Sequence, residues 1–445
     1  MKRFISICAL VIFGLTFECS VIGWKKKTAT VTPISGSAEP VQQQLSPKAQ
    51  AKEKAMKLKT SKGFTGFSEE EKNKVTGQDK EARWVELCGA KGILSGKNLT
   101  DGEFGLLVSK GMLDGISFVD LSKNKDLKFS DPEFDFQGLK KKLFGSLKKL
   151  DLSETGITEV QNISWPASLK ELILANCASL KSLDGLQPLD GLEVLDLTGI
   201  IFKAVEEGKI SGEKTLSFLK LKTPKLRILV LSKSNVTSAG IEKLPISVVT
   251  FDLRGCADLK GLPDFKALKN LKTLLLGGSG ITSIEGGNLP ASLEEINAVA
   301  ASGLASITGD LPANLKRLFA SHTKLTRIEK LPVKIEFLDL SFIKEGSFIL
   351  PDMSMCKGLA CVYLTESNVT DVSVKKFPPK AKVFDIRRSG GEAQKGLVRN
   401  HSVEDINDFA YRGTVGKKVA EEGQEVQAVG SSDLSASGGE HPKSE

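Results

Sequence analysis

"PASLKELILANCASLKSL" (residues 166–183) places leucines at Leu169, Leu172, Leu174, Leu180 and Leu183. Steps of three, two and six fit neither a helix, which wants threes and fours throughout, nor a half-buried strand, which wants twos. The same wording, L-x-x-L-x-L-x-x-(small polar)-x-L, recurs with its first apolar position at Ile116, Leu147, Leu169, Leu192, Leu226, Val248, Leu271, Leu293, Leu315, Ile335, Leu359 and Ala381. Most of the steps are 20 to 24 residues, and only two exceed 30. A unit of that size cannot close a core alone, whereas a stack of such units buries one continuous core. The pattern therefore predicts one short parallel strand per unit. In the quoted unit Leu172 and Leu174 point inward from the strand, and Leu180 and Leu183 fill the same interior from the returning chain.

"LPASLEEI", "LPANLKRL" and "LPVKIEFL" resemble the proline-bearing leucine-rich repeats of bacterial secreted effectors, and "LKTLLLGGSGITSIEGG" is similar to the repeats of internalin-type surface proteins. The resemblance implies an α/β solenoid: a right-handed coil with parallel strands on the concave face and a mostly non-helical convex side. It also implies a binding scaffold, since repeats of this type serve many partners. The chain departs from the family at position nine of the unit, where asparagine commonly bonds the turning backbone. Here that position holds Asn124, Thr155, Cys177, Ser234, Cys256, Ser279, Ala301, Thr323 and Ser367. Hydroxyls and thiols supply a weaker version of the bond and Ala301 supplies none, so Cys177 and Cys256 read as buried structural thiols. They lie three repeats apart, roughly 14 Å at ~4.8 Å per strand, beyond disulfide reach. The final 55 residues leave no room for the ubiquitin-ligase domain of some such effectors.

Pro166, Pro245, Pro290, Pro312, Pro332 and Pro378 fall just before strands, and only about ten residues link one strand to the next, so the outer side is expected to be extended or single-turn. Two longer units, around 125–146 and 200–225, have room for a helix or a protruding loop.

The ends read differently. Lys2 and Arg3 precede an apolar run from Phe4 to Phe17, the layout of a secretory signal over 1–23 cut after Gly23. As a helix the run would reach about 21 Å, short of the ~30 Å hydrocarbon core, so no stable span is expected after processing. Lipid attachment at Cys19 is the weaker alternative, because Glu18 stands where lipoprotein signals carry a small residue. Residues 24–65, rich in lysine and poor in large apolar groups, read as a disordered basic tether that supplies much of the net charge of +8. Residues 66–115 read as a helical N-terminal cap, with capping boxes at Ser68/Glu71 and a helix start at Thr100. The array occupies 116–390 in about twelve repeats, and 391–445 reads as a mostly disordered tail with one short helix from Ser402.

Chemistry is sparse. Of His322, His401 and His441 two lie in the tail, which leaves too little to converge into a triad or metal site. The cysteines show no CxxC spacing and no phosphate-binding glycine motif precedes a helix, so the expectation is no enzyme, no cofactor and no small-molecule substrate. The sequons at Asn98, Asn162, Asn235 and Asn368 matter only in a eukaryotic secretory route.

The informative surface is the residue between the two inward leucines. Down the stack it runs Asp151, Ile173, Asp196, Val230, Asp252, Leu275, Asn297, Phe319, Asp339, Tyr363 and Asp385. This alternation fits growth of the gene by doubling a two-repeat block, and it also fits a protein-binding stripe. In the second reading Phe319 and Tyr363, with Arg317 beside them, are the centres and the aspartates set the sign of the partner. The expected function is an exported scaffold recognising a protein at a host or cell surface. A structural or adhesive envelope protein is its rival; nucleic-acid binding through the tether is weaker, since no aromatics interleave its lysines.

Overall fold

In the computed structural model the described residues are 68–77, 80–129, 146–160, 163, 165–180, 183, 186, 189–201, 223–241, 244–370, 378, 381 and 383–385. The signal, the tether, the tail with its short helix and most of both longer units (130–145 and 202–222) fall outside them.

Twelve three-residue strands form one parallel sheet: β1 (Phe118–Asp120), β2 (Lys149–Asp151), β3 (Glu171–Ile173), β4 (Val194–Asp196), β5 (Ile228–Val230), β6 (Thr250–Asp252), β7 (Thr273–Leu275), β9 (Glu295–Asn297), β11 (Arg317–Phe319), β13 (Phe337–Asp339), β15 (Cys361–Tyr363) and β17 (Val383–Asp385). Sequence neighbours pair in register, Leu150 with Leu172 and Leu172 with Leu195, so one repeat position becomes one column across the sheet. The middle residue of each triplet from β1 to β15 is buried and its flanks are mostly half-buried, as a pleat with period two requires. Leu169, Leu172 and Leu174 are fully buried, and Leu180 and Leu183 close the interior from the return, so the opening pattern is met by the repeating coil.

Each strand of this sheet from β1 to β15 ends in a turn with one residue in the left-handed region: Lys123, Glu154, Asn176, Gly199, Lys233, Gly255, Gly278, Ala300, His322, Phe342 and Glu366. From Lys123 to Phe342 its N–H reaches the next unit, as in Glu154 N to Ala175 O at 2.8 Å and His322 N to Ser341 O at 3.0 Å. Non-glycine residues there cost roughly 1–2 kcal/mol each, a strain that the inter-repeat bond offsets.

The convex side is mostly non-helical, as expected, but it holds a second sheet that leucine spacing did not announce. Strands β8 (Ser283–Glu285), β10 (Ser306–Thr308), β12 (Arg327–Ile328), β14 (Phe348–Ile349) and β16 (Val369–Thr370) form a five-stranded parallel ladder behind the C-terminal half. Prolines open the way back: Pro290, Pro312 and Pro332 each accept an N–H three residues on, from Leu293, Leu315 and Ile335. Each bond closes a tight turn that needs no N–H from proline itself.

Inside, position nine forms a broken polar ladder. Asn124 is buried and makes four bonds, accepting from Leu99 N and donating to Leu94 O, Leu121 O and Ser122 O. Thr155 donates to Leu152 O at 2.7 Å, and Cys177 Sγ lies 3.1 Å from the same carbonyl. Ser234 and Cys256 repeat the arrangement on Leu231 O. Both thiols are free and buried, and burial pushes both above the ordinary thiol pKa. Beyond them the ladder lapses: Ser279 Oγ is buried without a partner, next to Ala301. Ala301→Ser is expected to restore a donor toward Ala298 O, as Thr323 does toward Ala320 O at 2.8 Å, and to give Ser279 a neighbour. The urea midpoint should rise by the equivalent of about 1 kcal/mol; an unchanged or lower midpoint would show that the pocket does not admit the hydroxyl.

Among the described residues three helices precede the sheet. α1 (Glu69–Asn73) starts at the Ser68/Glu71 capping box and α3 (Asp101–Ser109) at the Thr100 start read from sequence, where the structure adds a second box with Glu103; Glu71 N donates to Ser68 Oγ and Glu103 N to Thr100 Oγ1. α2 (Lys80–Cys88), absent from that reading, buries Trp84, Val85 and Leu87. Residues 92–96 then run along the open edge of β1, with Leu94 N donating to Asp120 O at 2.7 Å and Asp120 N to Gly92 O at 2.7 Å. Edge donors that would otherwise face water are thereby satisfied. Among the described residues no helix is long and apolar enough to cross a membrane.

Candidate protein-recognition face

The concave surface carries two exposed columns, because the first and third residues of each triplet both point away from the core. The stripe read from the sequence is the third column, with Arg317 its single member from the first. The first contributes Phe118, Lys149, Glu171, Glu295, Arg317, Phe337 and Cys361. Phe337 was therefore missed, although period two alone would have paired it with Asp339.

The aspartates of the third column serve the turn. Asp151 accepts from Ser153 N at 2.9 Å, Asp196 from Thr198 N at 2.9 Å, Asp252 from Arg254 N at 3.0 Å and Asp339 from Ser341 N at 3.0 Å; Asn297 does the same for Val299 N at 3.2 Å. "LDLS" is thus a strand plus the acceptor that turns it, which explains why the word recurs. Burial pushes the Asp196 carboxyl above its ordinary value against the bonds from Thr198, and nearby Asp252 and Asp151 add to the rise. Asp252 is 1% exposed and clasped by the Arg254 guanidinium at 2.6 Å. Val230 is 8% exposed, so neither Val230 nor Asp252 offers contact surface, whereas Ile173 and Leu275 remain half-buried. Asp385 lies in β17, in register with Tyr363.

Phe319 and Tyr363 are brought together through Phe337. Phe319 and Phe337 have ring centroids 4.9 Å apart at 38°, and Phe337 and Tyr363 5.4 Å apart at 37°. Arg317 is in register with Phe337, but its guanidinium turns to Glu295 at 2.7 Å. Ion pairs cross neighbouring repeats elsewhere on this side: Lys149 with Glu171 at 3.0 Å, Lys170 with Glu193, and Lys272 and Lys316 on Glu294 at 2.7 and 3.0 Å. The two lysines hold Glu294 below the usual carboxylate range. His322 is exposed at the rim and stacks on Phe342 at 4.3 Å and 8°. Cys361 sits half-buried beside Phe337, while burial pushes Cys88 and Cys356 up to about 11.

The face can therefore present aromatic area rimmed by paired charges. Residues in β11, β13 and β15 form it, on strands fixed by register and not on loops.

No family model matches the chain. Over 97 residues it is 39% identical to a protein of Arabidopsis thaliana named "Putative disease resistance protein", a match that spans 20% of this chain and only 8% of that protein. Among solved structures, the chain is similar to InlP of Listeria monocytogenes, at TM-score 0.40 and 18% identity over 54% of this chain and 64% of that one. It is similar to YopM of Yersinia enterocolitica at TM-score 0.34 and 19% identity over 62% and 67%. The InlJ functional domain of Listeria monocytogenes gives 0.35 and 16% over 65% and 70%.

Proposed function

We propose that this leucine-rich-repeat solenoid is an exported scaffold that recognises another protein, at a host or cell surface, through its concave face. The reading of export rests on the signal-like run from Phe4 to Phe17 behind Lys2 and Arg3. The observation that carries recognition is the cluster of Phe319, Phe337 and Tyr363, three half-exposed rings in contact on rigid strands. Aromatic groups lose little rotamer freedom on binding and dominate interface energetics, and Arg317 stands beside them. Ile173 and Leu275 extend apolar contact along the same column, and Asp151, Asp196, Asp339 and Asp385 supply its polar members.

The double variant Phe319→Ala/Tyr363→Ala is expected to lose partner capture, with each truncation weakening binding by roughly 2 kcal/mol or more. Its melting temperature should change little, since both rings are half-exposed. Retained capture with unchanged melting would move the binding surface off this face.

A further inference from the structure

We propose that Phe319, Phe337 and Tyr363, closing around Asp339, form a receptor for one cationic side chain of the protein partner, an arginine guanidinium or a lysine ammonium. The inference rests on the docking reading above and names what the ring cluster takes. Register sets the geometry: Asp339 lies between Phe319 and Tyr363 in the third column, and Phe337 is two residues from Asp339 in the first. Phe337 touches both other rings, so the three are joined through Phe337, and register seats Asp339 between Phe319 and Tyr363. Phe319 and Tyr363 stand two strands apart, roughly 9–10 Å between backbones, enough for a flat cation to lie against a ring face.

The charge count at this spot points the same way. Glu171, Glu193, Glu294 and Glu295 each hold a lysine or arginine of this chain. Among the described residues neither the exposed Glu336, which precedes Phe337, nor Asp339 has such a cation, and Asp339 accepts from the Ser341 N–H. Arg317, the nearest candidate to cover the rings, is drawn away by Glu295. A chain with net charge +8 thus leaves Asp339, in register between Phe319 and Tyr363, without a cation among the described residues. Elsewhere it satisfies the same chemistry internally, with Lys149 Nζ 5.4 Å from the Phe118 ring and Lys344 Nζ 5.6 Å from the Phe342 ring.

The full chain has two tyrosines, Tyr363 and Tyr411, so fluorotyrosine labelling gives two resonances, assigned with Tyr411→Phe. Titration with N-acetylarginine methylamide is expected to shift the Tyr363 signal saturably. The neutral isostere N-acetylcitrulline methylamide should bind at least about tenfold more weakly, the equivalent of ~1.4 kcal/mol. Asp339→Asn, which keeps the acceptor for Ser341 N, should weaken the arginine response by a similar factor. Equal response to both compounds, a response untouched by Asp339→Asn, or no response at tens of millimolar arginine compound would overturn the receptor. Peptide display on the same full chain separates the two readings. Binders lost in Phe337→Ala and enriched in basic residues support the receptor. Binders lost in Phe337→Ala but lacking basic residues refute it and leave the docking face standing, and binders indifferent to Phe337→Ala refute both.

Discussion

Glu103→Ala is expected to destabilise the N-terminal end of the molecule by about 3–5 kcal/mol. Glu103 is fully buried, yet it is the second residue of the α3 capping box, and its carboxylate collects bonds from three directions. It accepts from Thr100 N at 2.9 Å, from Thr76 Oγ1 at 3.1 Å and from Arg83 Nε at 3.3 Å. Removing it leaves the Arg83 guanidinium, only 14% exposed, with the half-exposed Glu86 carboxylate at 3.3 Å as its remaining counter-charge, and frees the helix-cap donor. Glu103→Gln keeps the volume and one acceptor and should lose less. The check is hydrogen exchange: Leu94 N–H and Gly96 N–H, which bond the β1 edge, should lose protection first while the distant repeats keep theirs. A loss under 1 kcal/mol with uniform protection would mean that the carboxylate is dispensable.

Phe251→Ala should cost a similar ~3–5 kcal/mol for a different reason. Phe251 replaces the usual leucine at the centre of β6, is fully buried, and meets Phe265 edge to face at 6.0 Å and 73°. The variant leaves a cavity in mid-array. Because each unit contacts only its neighbours, the damage should spread to both sides. Protection should fall at Leu231 N, which bonds Asp252 O, and at Leu253 N, which bonds Leu275 O. Phe251→Leu, the residue most other units use, should cost less than about 1.5 kcal/mol. Equal losses for Ala and Leu would show that the Phe265 contact, and not volume, sets the stability here.

Leucine spacing gave the concave sheet because an inward leucine is a local demand: each strand needs one, whatever its neighbours are. The same logic made the position-nine ladder legible, down to the thiols of Cys177 and Cys256 and the lapse at Ala301. The convex sheet was not legible in that way. Its strands are two or three residues long, and whether they pair depends on how tightly successive units stack, which no single unit records. α2 did carry a signal, since Trp84, Val85 and Leu87 share a buried face. At the candidate site, Phe319 and Tyr363 were visible as outliers in a column of aspartates and aliphatics. Phe337 was not, because it lies in the neighbouring column and joins them only diagonally across the sheet. The aspartates looked like surface charge, and only the bonds to the N–H two residues on reveal them as part of the turn.

The central claim is that the concave aromatic face, and not the convex sheet, meets the partner. A photo-cross-linking residue placed at Phe337, and separately at exposed Ile349 on the convex side, tests it directly. The account predicts a partner adduct from position 337 and none from 349; adducts from 349 alone would contradict it.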